Sequence, residues 1–226
     1  MSSTPWPIHL LVIAKTPIPG LVKTRLCPPL THEQAAEVAL AAILDTLDAV
    51  TGANVVARSI ILDGEPGPWV PPGMCMIPQR TGPFADRLAG AMEDAFAATP
   101  LPMLLIGMDT PQVRTDQLES GAAALLADGV DTTLGLAEDG GFWVIGTREP
   151  VVGMFEGIPM STTETGARQH AHLHSLGLSC VTLPILQDVD EFSDAQTVAS
   201  LIPHSRFASA LGSCHSLSDY ASPVDA

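Results

Sequence analysis

The chain's only two lysines, Lys15 and Lys23, share one stretch, AKTPIPGLVKTRL (Ala14 to Leu26), with Arg25 two residues beyond the second. Two lysines scattered at random over 226 residues seldom fall so close together, so a segment that gathers this scarce positive charge is suited to receiving an anion. Lysine offers a phosphate a point charge and arginine a planar two-pronged fork. Pro17, Pro19 and Gly20 stiffen and turn the segment so that its backbone can approach a ligand. A solvated loop that balances an acidic surface is the plainer alternative. The stretch Gly20 to Thr24 imitates the end of a phosphate-binding loop but does not complete the G-x-x-x-x-G-K-[ST] pattern.

Three acidic segments complement it. In LLIGMDTPQV (Leu104 to Val113), Asp109 follows an apolar run. A carboxylate there can hold a hard divalent cation that bridges phosphate oxygens, or can simply form a turn. In LGLAEDGGFWVIG, Glu138 and Asp139 precede the pair Gly140 and Gly141. Adjacent glycines permit positive φ and close backbone approach, which presents Asp139 to an acceptor or a cation; Asp-Gly is equally a hairpin signal. In QDVDEFSD (Gln187 to Asp194), Asp188 and Asp190 share one face of an extended segment, and one of them can complete a cation site begun at Asp109. Ser193 and Asp194 sit where a helix would start. TGPFADRL places Gly82, Asp86 and Arg87 near another helix start, as a nucleotide contact or a surface ion pair. Of His170, His172 and His174 only the first and last share a helix face, with no third ligand for a metal. No G-x-S-x-G, H-E-x-x-H or G-x-G-x-x-G occurs, which argues against a serine hydrolase, a zincin and an NAD enzyme.

Alternating strands and helices must position these residues. Ile8 to Ala14 is a continuous apolar run suited to a strand buried on both faces. Ala36, Leu40, Ile43, Leu44 and Leu47 form one stripe of a helix over His32 to Val50, capped by Thr31. Strands follow at Asn54 to Leu62, Leu101 to Gly107, Asp131 to Ala137, Phe142 to Gly146 and Leu178 to Pro184. Helices are expected over Phe84 to Ala98, Thr115 to Ala127 and Thr163 to Leu176, with a short one from Ser193. The alternation predicts a single-domain, three-layer α/β sandwich over residues 1–202, with a mostly parallel sheet and right-handed crossovers. Chemistry in such sheets collects beyond the carboxyl ends of the strands, where the four segments above lie. Residues 203–226, rich in Ser and Ala, read as a loosely held tail.

Composition narrows the function. Hydrophobic residues at 46% and charged residues at 15% make a globular chain. The formal net charge of −15 argues against nucleic-acid binding. The apolar runs fall far short of a membrane span, and the amino terminus lacks a basic signal-peptide region, so a cytoplasmic protein is expected. Cys27, Cys75, Cys180 and Cys214 lie far apart without a C-x-x-C pair, so they read as buried small hydrophobes.

Taken in order, Ala14-Lys15-Thr16-Pro17, Lys23-Thr24-Arg25-Leu26, Gly107-Met108-Asp109-Thr110-Pro111, Glu138-Asp139-Gly140-Gly141-Phe142-Trp143 and Asp188-Val189-Asp190 resemble the bacterial rSAM/selenodomain-associated glycosyltransferases, a family of the nucleotide-diphospho-sugar transferase superfamily. The resemblance spans Ile8 to Leu201, and the K-T-R-L segment also looks like K-S-R-L of the phospholactate guanylyltransferases. It implies a Rossmann-like GT-A fold and a metal-dependent transferase that uses a nucleotide or nucleotide-sugar and a small-molecule acceptor. Asp109 matches the family's metal-binding aspartate and Asp190 its second acidic position, for Mg²⁺ or Mn²⁺. Lys15, Lys23 and Arg25 match the phosphate-facing loop, joined by Pro17, Gly20, Gly82 and Arg87. Asp139, Lys23 and Arg25 are the expected catalytic residues; Gly140, Gly141 and Phe142 face the acceptor. Phe142 stands where Tyr is common and Met160 where Trp is common, which bears on the acceptor. Glycosyl transfer from an NDP-sugar is the favoured reaction and nucleotidyl transfer with release of pyrophosphate the alternative. A nucleotide-binding scaffold without turnover is the third reading.

Overall fold

A computed structural model describes residues 4–218. Seven strands, β1 (Trp6–Lys15), β2 (Val55–Asp63), β3 (Cys75–Pro78), β4 (Met103–Gly107), β5 (Thr132–Ala137), β6 (Phe142–Thr147) and β7 (Cys180–Leu186), form one sheet in the order β3-β2-β1-β4-β6-β5-β7. Six helices accompany them: α1 (His32–Gly52), α2 (Phe84–Ala98), α3 (Thr115–Leu126), α4 (Thr165–Ser175), α5 (Phe192–Leu201) and α6 (Arg206–Ser218).

Strand β1 shows why the sandwich has three layers. Successive side chains of a strand point to opposite faces, and both faces of this one are apolar. Leu10 and Val12 meet Ile43, Leu47 and Val50 of α1 and Leu118, Ala122 and Leu125 of α3. Leu11 and Ile13 meet Leu88, Ala91, Met92 and Ala95 of α2 and Leu173 of α4. Thr31 starts α1 with the expected cap: its hydroxyl accepts from the Gln34 amide at 3.2 Å while the Gln34 side chain accepts from the Thr31 amide at 2.8 Å.

The sheet is mixed at one place. Strand β6 runs antiparallel to both β4 and β5, whereas every other pairing is parallel. The turn from β5 to β6 is too short for a crossover, so the next strand must reverse direction. The hairpin reading of Asp139 to Gly141 therefore holds for the backbone. Strand β3, only four residues long and at the sheet edge, follows a Pro- and Gly-rich stretch and has no periodicity that would have signalled it.

The carboxyl-terminal region departs from the expected loose tail. Arg206–Ser218 form α6, in which Phe207, Leu211 and Cys214 recur at helical spacing and pack on Ala35, Val38 and Ala42 of α1 and on Val198 of α5. Asp45 of α1 anchors the start of this helix, accepting from the Phe207 amide at 2.8 Å and pairing with Arg206 at 3.4 Å. The abundance of Ser and Ala concealed a real apolar stripe. The rest of the expected tail, residues 219–226, lies outside the described residues. Cys214 is buried as expected, but Cys75, on edge strand β3, is exposed.

Candidate functional site

The site is assembled where β1, β4, β5 and β7 deliver their following loops to one end of the sheet. Asp109 follows β4, Asp139 follows β5, and Asp188 and Asp190 follow β7. Two hydrogen bonds to the backbone fix the last pair relative to β4: the Val189 amide donates to the Asp109 carbonyl at 3.0 Å, and the Gln112 side chain donates to the Gln187 carbonyl at 2.5 Å. One carboxylate oxygen each from Asp139, Asp188 and Asp190 lies within 4.8 Å of the other two. Among the described residues this is the one group of three or more His, Cys, Asp or Glu side chains so convergent.

The close packing of these anions perturbs Asp188. Burial and the Asp109 charge push its pKa up to about 8; Lys23 opposes the shift, while Asp190 and Asp139 add to it. Hard oxygen donors with surplus negative charge are what Mg²⁺ or Mn²⁺ requires, so the residues present fit such an ion.

The basic segment reaches the same place from β1. Lys23 adopts the left-handed conformation (φ 47°, ψ 35°) at the start of a 3₁₀ turn over Thr24–Leu26. Its side chain is only 8% exposed; Nζ lies 2.5 Å from Asp109 Oδ1 and donates to the Val189 carbonyl. Burial works against its charge, but Asp109, Asp188 and Asp190 outweigh burial and hold the amine above the ordinary lysine range. Arg25 pairs through Nη1 with Asp190 at 2.7 Å and through Nη2 with Glu191 at 3.1 Å, while staying 64% exposed. Of the two lysines read as phosphate-facing, Lys23 is thus turned into the acidic cluster, and Lys15 lines the small cleft described next.

A large cleft of about 680 Å³ and a small one of about 250 Å³ open at this end. They share Arg25, Asp109 and Asp190, which form the wall between them. Asp139, Gly141, Phe142 and Met160 line the large cleft, and Lys15 and Lys23 the small one. Arg87 also faces the large cleft, held 3.3 Å from Asp63 with its guanidinium 5.2 Å from the centre of the Phe84 ring. Pro17, Gly20 and Gly82 are in neither lining.

Gly140 carries a structural requirement of its own. It has φ +92°, and a Cβ there would fall 2.0 Å from the Thr163 carbonyl oxygen. The backbone of α4 closes in further, with the Gly166 amide donating to the Gly140 carbonyl at 2.7 Å. The hairpin tip is thereby clamped, and the Gly141 amide donates to Asp139 Oδ1 at 2.8 Å. Sequence reasoning missed the segment that does this clamping: Ser161, Thr162, Thr163 and Thr165 line the large cleft, and Ser161 takes a left-handed φ of 59°. Its signal was the run Ser-Thr-Thr ahead of a helix. Among the histidines of α4, His170 and His174 meet edge to face at 4.7 Å, and His172 bonds the Gly153 carbonyl.

The fold defines the class. The seven-stranded, mostly parallel sheet flanked by helices has the GT-A-like, nucleotide-diphospho-sugar transferase fold. The chain belongs to the family described as "Uncharacterized protein conserved in bacteria (DUF2064)", whose model matches residues 32–162. Among solved structures it is similar to a protein of Desulfovibrio desulfuricans G20 provisionally assigned as a nucleotide-diphospho-sugar transferase, with TM-score 0.83 and 23% identity over 93% of this chain and 96% of that one. It is also similar to a CMP:2-keto-3-deoxy-manno-octonic acid synthetase complexed with CTP, with TM-score 0.56 and 11% identity over 87% and 98% of the two chains. A mannosyltransferase from Pyrobaculum calidifontis in complex with GDP-Man and Mn²⁺ matches with TM-score 0.51 and 11% identity, over 91% of this chain and 64% of that one. No curated protein matches significantly. Among the described residues no helix is long and apolar enough to cross a membrane.

Proposed function

We propose that the protein is a metal-dependent, nucleotide-using transferase that moves a glycosyl group from an NDP-sugar to a small acceptor. The observation that carries this reading is the convergence of Asp139, Asp188 and Asp190 beside the Lys15–Arg25 segment, at the rim of a cleft of about 680 Å³. Asp188 and Asp190 would hold Mg²⁺ or Mn²⁺, with Asp139 converging on them; Asp109, expected as a ligand, lies outside that group and is paired with Lys23. The ion supplies charge neutralisation to a leaving diphosphate.

The chain's own groups do the rest. Lys15 and Arg25 grip phosphate oxygens from the small-cleft side. Arg87, steadied by Asp63 and Phe84, faces the nucleotide from α2. Gly141 and Phe142, which line the large cleft, would shape the acceptor side, and Asp139 beside them would take the proton of an acceptor hydroxyl as that oxygen bonds to the sugar carbon and the carbon–phosphate-oxygen bond breaks. The sequence likeness to the rSAM/selenodomain-associated glycosyltransferases supports this assignment.

A second reading is nucleotidyl transfer, and one observation favours it. Lys15, Lys23 and Arg25 together line the small cleft, a suitable seat for the β and γ phosphates of an NTP while a phosphorylated acceptor attacks in line. The K-T-R-L likeness to phospholactate guanylyltransferases agrees with it, as does a fold shared with a CTP-bound synthetase.

The deciding experiment is a thermal-shift panel of UDP-, GDP-, ADP- and dTDP-sugars against GTP, CTP, UTP and ATP, each with and without Mg²⁺ or Mn²⁺. A ligand that binds the folded state raises stability in proportion to ln(1 + [L]/Kd). A metal-dependent shift with one NDP-sugar supports glycosyl transfer and identifies the donor. A shift with an NTP alone selects the second reading, and no shift with either rejects both.

A further inference from the structure

We propose that Lys23 is a built-in counter-ion of the acidic cluster, and that a divalent cation takes full possession of the cluster only when a polyphosphate in the small cleft draws the Lys23 ammonium out. The inference deepens the proposed function and rests on its metal site.

Three observations support it. The Lys23 ammonium is almost wholly buried, contacting Asp109 and the carbonyl of Val189, the residue between Asp188 and Asp190. A buried ammonium persists only where anions compensate its lost hydration, and here it supplies the buried part of the positive charge that faces the carboxylates, the exposed part coming from Arg25 on Asp190. The same side chain borders the small cleft, whose other cations are Lys15 and Arg25. A polyphosphate seated there offers the ammonium a second anionic partner a short swing away. Finally, Lys23 holds a left-handed backbone conformation that is uncommon outside glycine and persists only where surrounding contacts impose it. Releasing the ammonium from Asp109 and Val189 removes two of those contacts, while the Leu26 amide still bonds the Lys23 carbonyl and Val22 and Leu26 stay buried, so the ammonium can swing on its side chain.

The electrostatics give the coupling its sign. A dication entering the cluster while the ammonium remains is repelled by it, and once the ammonium turns to phosphate that repulsion falls and an anionic partner for the metal is present. Metal and polyphosphate therefore bind with positive coupling, which by linkage is reciprocal.

The test titrates Mn²⁺ alone, with free Mn²⁺ read by electron paramagnetic resonance, into the wild type, Lys23→Met and Arg87→Met. Arg87→Met removes one positive charge from the neighbouring large cleft, which Asp188 and Asp190 also line, without touching the cluster. The expected result is that Lys23→Met binds Mn²⁺ about tenfold more tightly than wild type, within the usual range of site-to-site coupling, whereas Arg87→Met binds as wild type does. Equal affinity of wild type and Lys23→Met, or equal tightening by Arg87→Met, would overturn the counter-ion role and leave the metal site standing. Absence of Mn²⁺ binding in both wild type and Lys23→Met would overturn the metal site as well. A second measurement needs no variant: with two lysines in the chain, ¹³C-lysine labelling gives two side-chain signals. The Lys23 signal should stay in place with Mg²⁺ alone and move when Mg²⁺ and inorganic pyrophosphate are added together; movement with Mg²⁺ alone, or none with both, rejects the exchange.

Discussion

The basic segment after β1 and the acidic segment after β7 meet face to face, yet they are fixed by different means. The acidic segment is stitched into the fold by its backbone: Val189 is buried and bonded to the Asp109 carbonyl, and Asp194 accepts from the Asp190 and Glu191 amides at 3.2 and 2.7 Å as α5 begins. The basic segment is seated in the core by Val22 and Leu26, but its cationic groups are held only across the site through side-chain ends, Lys23 on Asp109 and Arg25 on Asp190 and Glu191. Hydrogen-bonded backbone holds its place whatever the charges do, whereas an ion pair lasts only while both partners are charged. The carboxylates are thus the fixed half of the site and the cations the half that can move.

The severest test of that asymmetry removes a carboxylate that serves both halves. Asp190→Asn takes away a proposed metal ligand and the partner of Arg25 together. Turnover with the donor found by the thermal-shift panel should fall by roughly 10²–10³-fold, the loss typical of removing one fixed electrostatic stabiliser. The Mn²⁺-dependent thermal shift should vanish with it. A variant that keeps most of its activity would take Asp190 out of the metal site.

Asp109→Asn sharpens the comparison through stability. It leaves the buried Lys23 ammonium without its nearest anion, and breaking such a pair costs roughly 3 kcal/mol. Urea unfolding should register that loss. A cost below about 1 kcal/mol, the level of an exposed ion pair, would mean that the basic segment is not held by charge.

Asp188→Asn should act in the opposite direction. With a folded pKa of about 8 against an ordinary 3.8, the native state binds more protons than the unfolded state between those values. Stability of the metal-free protein therefore falls as pH rises from about 4 to 8. The variant lacks this slope, so its thermal midpoint should gain on wild type progressively across that window. It should also lose metal binding. Parallel midpoint curves for the two proteins would show that Asp188 carries no such strain.

The sequence made the fixed half more legible than the mobile half. The apolar run of β1 and the stripe of α1 announced the sandwich, because burial on two faces and helical period are local properties. Edge strand β3 escaped, being too short for a pattern, and α6 escaped because small residues diluted its stripe. At the site, the residue types in the loops were readable: Asp109, Asp139, Asp188 and Asp190 all stood out. Their partners were not. Lys23 lies far from Asp109 and Val189 in the chain, and spacing alone left it facing a phosphate rather than turned into the carboxylates. The clamp of Thr163 on Gly140 is likewise a contact between distant segments, visible beforehand only as a glycine pair.

The smallest expected effect isolates the basic segment's anchor from its charges. The chain beyond that segment enters α1 at Thr31, whose hydroxyl and amide form the reciprocal cap with Gln34 that starts the helix. Thr31→Ala removes one half of that cap and should cost about 1 kcal/mol of stability, read by urea denaturation. Since the cap touches neither Lys23 nor the carboxylates, Mn²⁺ affinity should stay at the wild-type value. Were metal affinity to change with the cap, the position of Lys23 would depend on the backbone that follows it, and the division between a stitched acidic segment and a charge-held basic one would fail.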